Sequence, residues 1–359
     1  MRRAGARPAA RRSSSSVKLC TEVRMVRIAV VGAGYWGPNL IRNFRSMKSS
    51  SLRFVCDQDG AALDKLKPSF PEAEFVTDFG IVLSSPEVDA VVVATQPASH
   101  LALAKEALER GKHVFVEKPL ALSAKDAQVL VDTSARTKKV LMVGHLLRYH
   151  PAVKLLKQYI DAGELGDVLY AYSTRVNLGK VRQDENALWS FAPHDVAVIL
   201  HLIGAKPVSV SAVGQCYLKP GVEDVVFLTI LFEGNRMAHV HVSWLDPHKI
   251  RKLTIVGKKK MAVFDDMEAS EKIRVYDKGV DYSPDYKSYA EAVSLRVGDI
   301  LIPRVDMREP LRIECEHFVE CIEKGRTPLT GAEDGLAVVK VLEAAQESLS
   351  KSGTLVDIA

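Results

Sequence analysis

Disulfide frameworks, metal-ligand spacings and membrane-length apolar runs are all missing from this 359-residue chain. Its five cysteines, Cys20, Cys56, Cys216, Cys315 and Cys321, are odd in number, scattered and never arranged as C-x-x-C. That pattern argues for a reducing compartment and against both a disulfide scaffold and a zinc knuckle. No apolar stretch approaches the roughly 20 residues that span a bilayer, so no membrane partner is expected. Clustered charge is scarce as well. The formal net charge of +5 resides in residues 1–24, where seven basic side chains face Glu22 alone, a surplus of six that leaves the rest at −1. A body near neutrality lacks the grouped cations that a phosphate backbone requires, which excludes nucleic acid as an expected partner. The leader is rich in arginine and serine but has no apolar core of a secretory signal, so a cytoplasmic location is expected. It reads as a disordered tail, as sequence upstream of a true start at Met25, or as an organelle-targeting segment.

What is present is the composition of a globular protein, 47% hydrophobic and 26% charged, in a length that suits two packed domains. From Val26, short β-branched runs alternate with amphipathic stretches: VRIAVVG, a helix over 36–47, LRFVCD, a helix near 61–67, DAVVVAT, a helix over 98–110, HVFVEKP, a helix over 123–138 and VLMVGH. Such alternation builds βαβ units and a parallel sheet, predicting a dinucleotide-type domain over 25–146. After Pro151 the texture changes to successive strands from DVLYAYSTRVNL to KMAVFDD, with a helix around 196–202. Short links between strands imply a second, α+β domain over 147–359 with a large, mostly antiparallel sheet. Helices over 313–324 and 334–351 finish the chain and are free to pack back on the first domain, while 281–305 resists assignment.

Gly32-Ala33-Gly34-Tyr35-Trp36-Gly37 follows a buried strand and opens a helix, the context in which G-x-G-x-x-G signals a dinucleotide site. Gly32 permits the tight turn, Gly34 lets backbone approach the pyrophosphate, and Gly37 lets the helix pack closely; the helix N-terminus then faces the phosphates. Asp57 ends the second strand 20 residues after Gly37, placed to accept from the adenosine ribose hydroxyls. A carboxylate there repels a 2′-phosphate, and Gln58-Asp59-Gly60 supplies no cation, so NAD is favoured over NADP. Glu117-Lys118-Pro119 lies directly after the strand HVFV, at the C-terminal sheet edge where ligands bind in open α/β folds. Alone, Lys118 reads as a surface lysine. At this edge, partly desolvated near a nicotinamide, it becomes a candidate for proton exchange with a substrate hydroxyl.

The segments GAGYWGPNLIRNF, ATQPASH, EKPLALS, VGHLLRYHPA, NLGKVR, APHDVAVILHLIG and SWLDPHKIR make residues 26–358 resemble the Gfo/Idh/MocA oxidoreductases, within them the nucleotide-sugar 3-dehydrogenase branch. The resemblance implies an NAD-dependent dehydrogenase in which Lys118 and His194 handle the proton of a sugar hydroxyl. It places Thr95, Pro97, His100 and Glu117 beside the cofactor with Tyr35 and Trp36, and Arg148, Asn177 and Arg182 along a UDP-sugar cleft. Relatives carry W-D before the APHD stretch, whereas this chain has Trp189-Ser190. Serine cannot hold His194 in one tautomer by charge, and the neighbouring Asp195 is a candidate substitute. A free sugar or inositol as substrate, or a dinucleotide-binding regulator without catalysis, stand as alternatives. A broad antiparallel sheet face also implies a homo-oligomer, a dimer or tetramer, as in relatives.

Three features carry bland expectations. His239 and His241 alternate on one strand face without a third ligand, so no metal is expected. Trp189 and Trp244 read as core or cleft wall, and Arg251, Lys252 and Lys258 to Lys260 as a solvated hairpin.

Overall fold

β-Branched runs that are buried on both faces form the first sheet, which is what a sheet covered by helices on each side requires. In the computed structural model, which describes residues 25–179, 185–282 and 293–358, every residue of Ala90–Val93 is buried. The chain runs β1 (Val26–Val31), α1 (Gly37–Arg45), β2 (Ser50–Cys56), α2 (Gly60–Leu66), β3 (Glu74–Val76), α3 (Phe79–Ser84), β4 (Ala90–Val93), α4 (His100–Glu109), β5 (His113–Glu117), α5 (Ala124–Thr137) and β6 (Leu141–Gly144). All five strand pairings are parallel, in the order β3-β2-β1-β4-β5-β6. The order reverses at β1 and β4, so the crevice at the carboxyl ends of these two strands is where a dinucleotide fold binds its ligand.

The second half contains α6 (Pro151–Asp161), β7 (Val168–Val176), α7 (Ala187–Ile203), β8 (Pro207–Gln215), β9 (Val225–Phe232), β10 (Arg236–Ser243), β11 (Ile250–Gly257), β12 (Met261–Asp265), β13 (Ile273–Tyr282) and β14 (Val293–Leu301). It ends with α8 (Pro310–Lys324), α9 (Ala332–Ser350) and β15 (Val356–Asp357). The nine-stranded sheet has the order β14-β13-β12-β11-β7-β10-β9-β8-β15 and is antiparallel except where β7 and β10 meet. Alternation sorts its faces: Ala171, Ser173 and Arg175 of β7 are buried, while Tyr170 and Tyr172 face outward. The buried side carries α7, whose Val196, Ile199, Leu202 and Ile203 share a core with Val210, Leu228, Val240 and Val242 of the sheet. Apolar area removed from water at about 25 cal/mol per Å² makes such a core the main stabilising term of the domain.

Three elements depart from the sequence expectations. Pro151 opens a helix, not a strand region; its fixed φ suits the first helical position, and the His150 side chain caps Ala152 N–H at 3.1 Å. The helix expected at 196–202 begins earlier, at Ala187, capped by Asn186 and running through Pro193, a residue that ordinarily marks a helix boundary. The unassigned stretch 281–305 contains β14 and the end of β13; residues 283–292 between them lie outside the described residues.

The last helices do return to the first domain. Phe318 of α8 packs edge-on against Phe44 of α1 and Phe115 of β5, with centroids 6.2 and 5.7 Å apart. In α9, Leu336 and Val339 join the core of the first sheet, while Val338, Val341 and Leu342 join that of the second. Among the described residues no helix is long and apolar enough to cross a membrane.

Candidate active site

The glycine turn after β1 is shaped by contacts that a side chain would destroy. Gly32 has φ +106°, and a Cβ there would stand 2.6 Å from the Ala94 carbonyl at the end of β4. At Gly37 a Cβ would lie 1.9 Å from the Gly32 carbonyl oxygen, so this glycine seats the start of α1 against the turn itself. Gly34 faces open space, leaving the backbone approachable. Among the described residues no side chain caps the N-terminus of α1 and no acidic residue occupies its first turn; Pro38 has no N–H and the Asn39 N–H donates to the Trp36 carbonyl at 3.0 Å, so what the helix offers an anion is the positive end of its dipole. These features fit a dinucleotide pyrophosphate. Asp57 does a second task as well: one carboxylate oxygen accepts the Ala33 N–H at 2.6 Å and the other the Asp59 N–H at 2.9 Å. A carboxylate has about four acceptor sites, so capacity for a ribose hydroxyl remains. The Tyr35 side chain stands out from the turn, 88% exposed.

The EKP segment terminates β5 beside this turn. Glu117 is half-buried and accepts from Trp36 Nε1 at 2.7 Å and from the Lys118 backbone N–H at 3.2 Å, so it joins the glycine turn to the lysine that follows. Burial pushes its carboxyl up to about 7, against the downward pull of the Trp36 hydrogen bond and the Lys118 charge. Behind it lies Glu314 of α8, fully buried, with neither carboxylate oxygen hydrogen-bonded among the described residues. Burial, with repulsion from Glu117, raises Glu314 well above the usual carboxylate range. Thr95 hydrogen-bonds Ser99 at 2.7 Å, and Pro97 begins the short turn that leads into α4.

His100 differs from the sequence expectation of a residue touching the cofactor. It is 0% exposed, with Nδ1 2.8 Å from the Pro119 carbonyl and Nε2 3.2 Å from that of Thr95. It therefore pins the loop after β4 to the EKP turn from behind.

Across the cleft, α7 brings its own residues to the lysine. Lys118 Nζ donates to the Ser190 carbonyl at 3.1 Å, and His194 lies one helical turn further along. His194 Nδ1 is buried without a hydrogen-bond partner among the described residues. Burial, followed by the charges of Lys118 and Arg175, holds this imidazole well below its usual pKa; His145 and Arg251 add to the effect. Asp195 does not replace the carboxylate missing at Ser190: it is buried and engaged by Arg175 of β7, which donates Nε to it at 2.5 Å.

The remaining expected site residues separate. Arg148 donates to Asp334 at 3.1 Å and to the Leu329 carbonyl at 3.0 Å, so its guanidinium is turned toward α9 and lines a cavity of about 250 Å³ with His201. Asn177 is half-buried at the end of β7, where its N–H donates to the Ser243 carbonyl at 3.2 Å. Arg182 lies outside the described residues. Arg251 is a correction: the expected solvated hairpin residue is half-buried on β11, within reach of Arg175, Asp195 and Asp266, and burial lowers its pKa. His145, Arg175 and Glu314 received no role from the sequence; His145 sits inside the quoted segment VGHLLRYHPA, whereas nothing local distinguishes Arg175 or Glu314 from surface charges. His239 and His241 stack on Phe227, centroids 6.2 and 4.3 Å away, and Trp244 is core.

A glycine-turn dinucleotide site, a lysine at the sheet edge and a histidine helix facing it define an oxidoreductase architecture. Residues 26–145 match the oxidoreductase family GFO_IDH_MocA, NAD-binding Rossmann fold, and residues 153–263 match the GFO/IDH/MocA C-terminal domain. The chain belongs to the Gfo/Idh/MocA family, and its cofactor is NAD. An uncharacterized oxidoreductase of Streptococcus pneumoniae is 29% identical over 60% of this chain and 61% of its own length. The scyllo-inositol 2-dehydrogenase (NAD(+)) of Bacillus subtilis is 26% identical over 90% of this chain and 94% of its own. The UDP-N-acetylglucosamine 3-dehydrogenase of Acidithiobacillus ferrooxidans is 27% identical over 89% and 95%, respectively. A solved structure of that last enzyme superposes with a TM-score of 0.76 at 23% identity, covering 91% of this chain and 98% of that one.

Proposed function

We propose that the protein is a dehydrogenase that moves hydride between nicotinamide and a ring carbon, C3, of a nucleotide-activated sugar. The observation that carries this reading is the Lys118 Nζ contact with Ser190, which holds the sheet-edge lysine one helical turn from His194. Bound NAD would supply the hydride acceptor. The secondary alcohol loses hydride from carbon and a proton from oxygen as it becomes a ketone. The Lys118–His194 pair takes that proton, which the neutral state of His194 permits. Glu117 holds Trp36 and the Lys118 backbone in register, and Asp195 fixes Arg175 behind His194. In reverse, the same groups return the proton as a keto sugar is reduced. Similarity to a UDP-N-acetylglucosamine 3-dehydrogenase supports the nucleotide sugar, and similarity to an inositol dehydrogenase sets the competing substrate class.

The outer face of the nine-stranded sheet, which exposes Tyr170, Tyr172, Phe227 and Met237, supports pairing with a second copy. Sedimentation of the wild type against Tyr172→Asp tests this; unchanged mass would remove the face from consideration. The activity test is absorbance of reduced nicotinamide when the protein meets NAD and a panel of UDP-sugars and inositols. Reduction with a UDP-sugar and not with inositols supports the proposal. Reduction with inositols alone replaces the substrate, and silence with tight NADH binding replaces the enzyme with a dinucleotide-binding regulator.

A further inference from the structure

His145 is the first residue after β6, at the same sheet edge as Lys118, and its ring is 1% exposed. Neither of its nitrogens has a hydrogen-bond partner among the described residues. The other buried imidazoles outside the site behave differently. His100 has a carbonyl within hydrogen-bond distance of each nitrogen, those of Pro119 and Thr95, one of which accepts its single N–H, and His150 accepts the Ala152 N–H. A buried imidazole with two empty nitrogens costs free energy, and such groups concentrate where a partner arrives during function. His194 Nδ1 is likewise empty and buried. Glu117 and Gly144 pair in register on β5 and β6, which sets His145 beside Lys118 at the sheet edge, and Lys118 reaches Ser190 on the helix that carries His194, so the orphaned nitrogens belong to one site.

We propose that His145 is a positioning residue for the reaction: in the cofactor-bound protein its unprotonated nitrogen takes the Nδ1–H of His194, directly or through one water, leaving His194 Nε2 as the acceptor for the substrate hydroxyl. This rests on the dehydrogenase reading above. A neutral imidazole has one donor and one acceptor, so it can perform the orienting task for which a carboxylate is the familiar choice; Asp195 accepts from Arg175 and leaves His194 Nδ1 without a partner among the described residues. Burial and the surrounding cations keep both rings uncharged: Lys118 and Arg148 face His145, and Lys118, Arg175 and Arg251 face His194. Two neutral rings pair without the repulsion that an imidazolium would bring.

The test uses His145→Phe, which keeps a flat ring and removes both nitrogens, and His145→Asn, which keeps a donor and an acceptor. Nitrogen-15 histidine NMR of the full chain with NADH, His194 being assigned through His194→Gln, reads the His194 tautomer without turnover. The wild type should show one tautomer protonated at Nδ1, His145→Phe a mixture, and His145→Asn a partial return. With the substrate identified, kcat for His145→Phe should fall about tenfold or more, with NADH affinity unchanged and part of the rate regained in His145→Asn. A His194 tautomer unaltered in His145→Phe would overturn the proposal whatever the substrate proves to be. Equal loss of kcat in both variants, tracking a loss of melting temperature, would reduce His145 to a packing residue.

Discussion

Lys118 donates its ammonium across the domain boundary to the backbone carbonyl of Ser190, 3.1 Å away. The acceptor is main chain, so the contact survives any substitution at Ser190 that keeps the helix. Lys118→Ala is therefore expected to cost catalysis far more than cofactor affinity: a fall in kcat on the order of 100-fold or more, with NADH dissociation changed only slightly. Stopped-flow turnover beside fluorescence titration of NADH separates the two, and near-normal turnover would remove the lysine from the proton step.

His194 stands among cations, and one can be removed at a distance. Arg251→Met deletes a charge that pushes the imidazole down while the methionine stem keeps the packing. The His194 pKa should rise toward its ordinary value, still below 6.5 because burial is the larger cause. An NMR pH titration of the histidine signals reads this directly; an unmoved value would mean that water screens Arg251 from the ring.

Glu117 predicts a stability signature of definite sign. Its carboxyl titrates near 7 in the folded chain and near 4.5 when unfolded, so the folded state binds the extra proton between those values. The stabilisation is complete below about 4.5 and is lost as pH rises through 7. Relative to Glu117→Gln, the wild type should lose on the order of 3 kcal/mol across that window, by about 1.4 kcal/mol per unit of pKa shift. Urea unfolding of both proteins at pH 5 and pH 8 measures the difference. A constant gap between them would show that the carboxyl titrates normally.

Gly37→Ala should abolish dinucleotide binding. The added methyl would sit 1.9 Å from the Gly32 carbonyl oxygen, and that atom is backbone, so the turn or the helix must move. Calorimetric titration with NADH, alongside circular dichroism to confirm folding, checks it; binding within a few-fold of wild type would show that the turn can shift at little cost.

The first domain was nearly legible because its signals are local: periodicity gave the strands, and the glycine spacing gave the turn. Asp57 and Lys118 were legible for the same reason, each standing at a fixed distance from a strand end. Pro193 concealed the first half of α7, since a proline ordinarily bounds a helix, so the residue pattern placed only 196–202 on it and left Ser190 outside. The amphipathic spacing of Ala152, Val153, Leu156 and Tyr159 after Pro151 was available but outweighed by the strands that follow. Glu314, Arg175 and Arg251 look like ordinary surface charges in sequence. Only the packing of α8 under β5, and of β7 beside β11, buries Glu314 and Arg175 and half-buries Arg251. His100 shows the reverse error, a residue correctly placed near the site whose burial converts a contact into a brace.

The seam between Phe318, Phe44 and Phe115 has a consequence for how the molecule comes into being. The nucleotide-binding half is encoded first, yet its hydrophobic interior is completed by a helix that leaves the ribosome only after eight of the nine strands of the second sheet have been translated. Until α8 emerges, Phe44 and Phe115 lack the ring of Phe318 that packs edge-on against both. A cut between the halves would leave neither fragment whole. Interdependence of this kind makes the chain one folding unit despite its two sheets, and truncation at the apparent boundary is expected to yield aggregate and not a working nucleotide module.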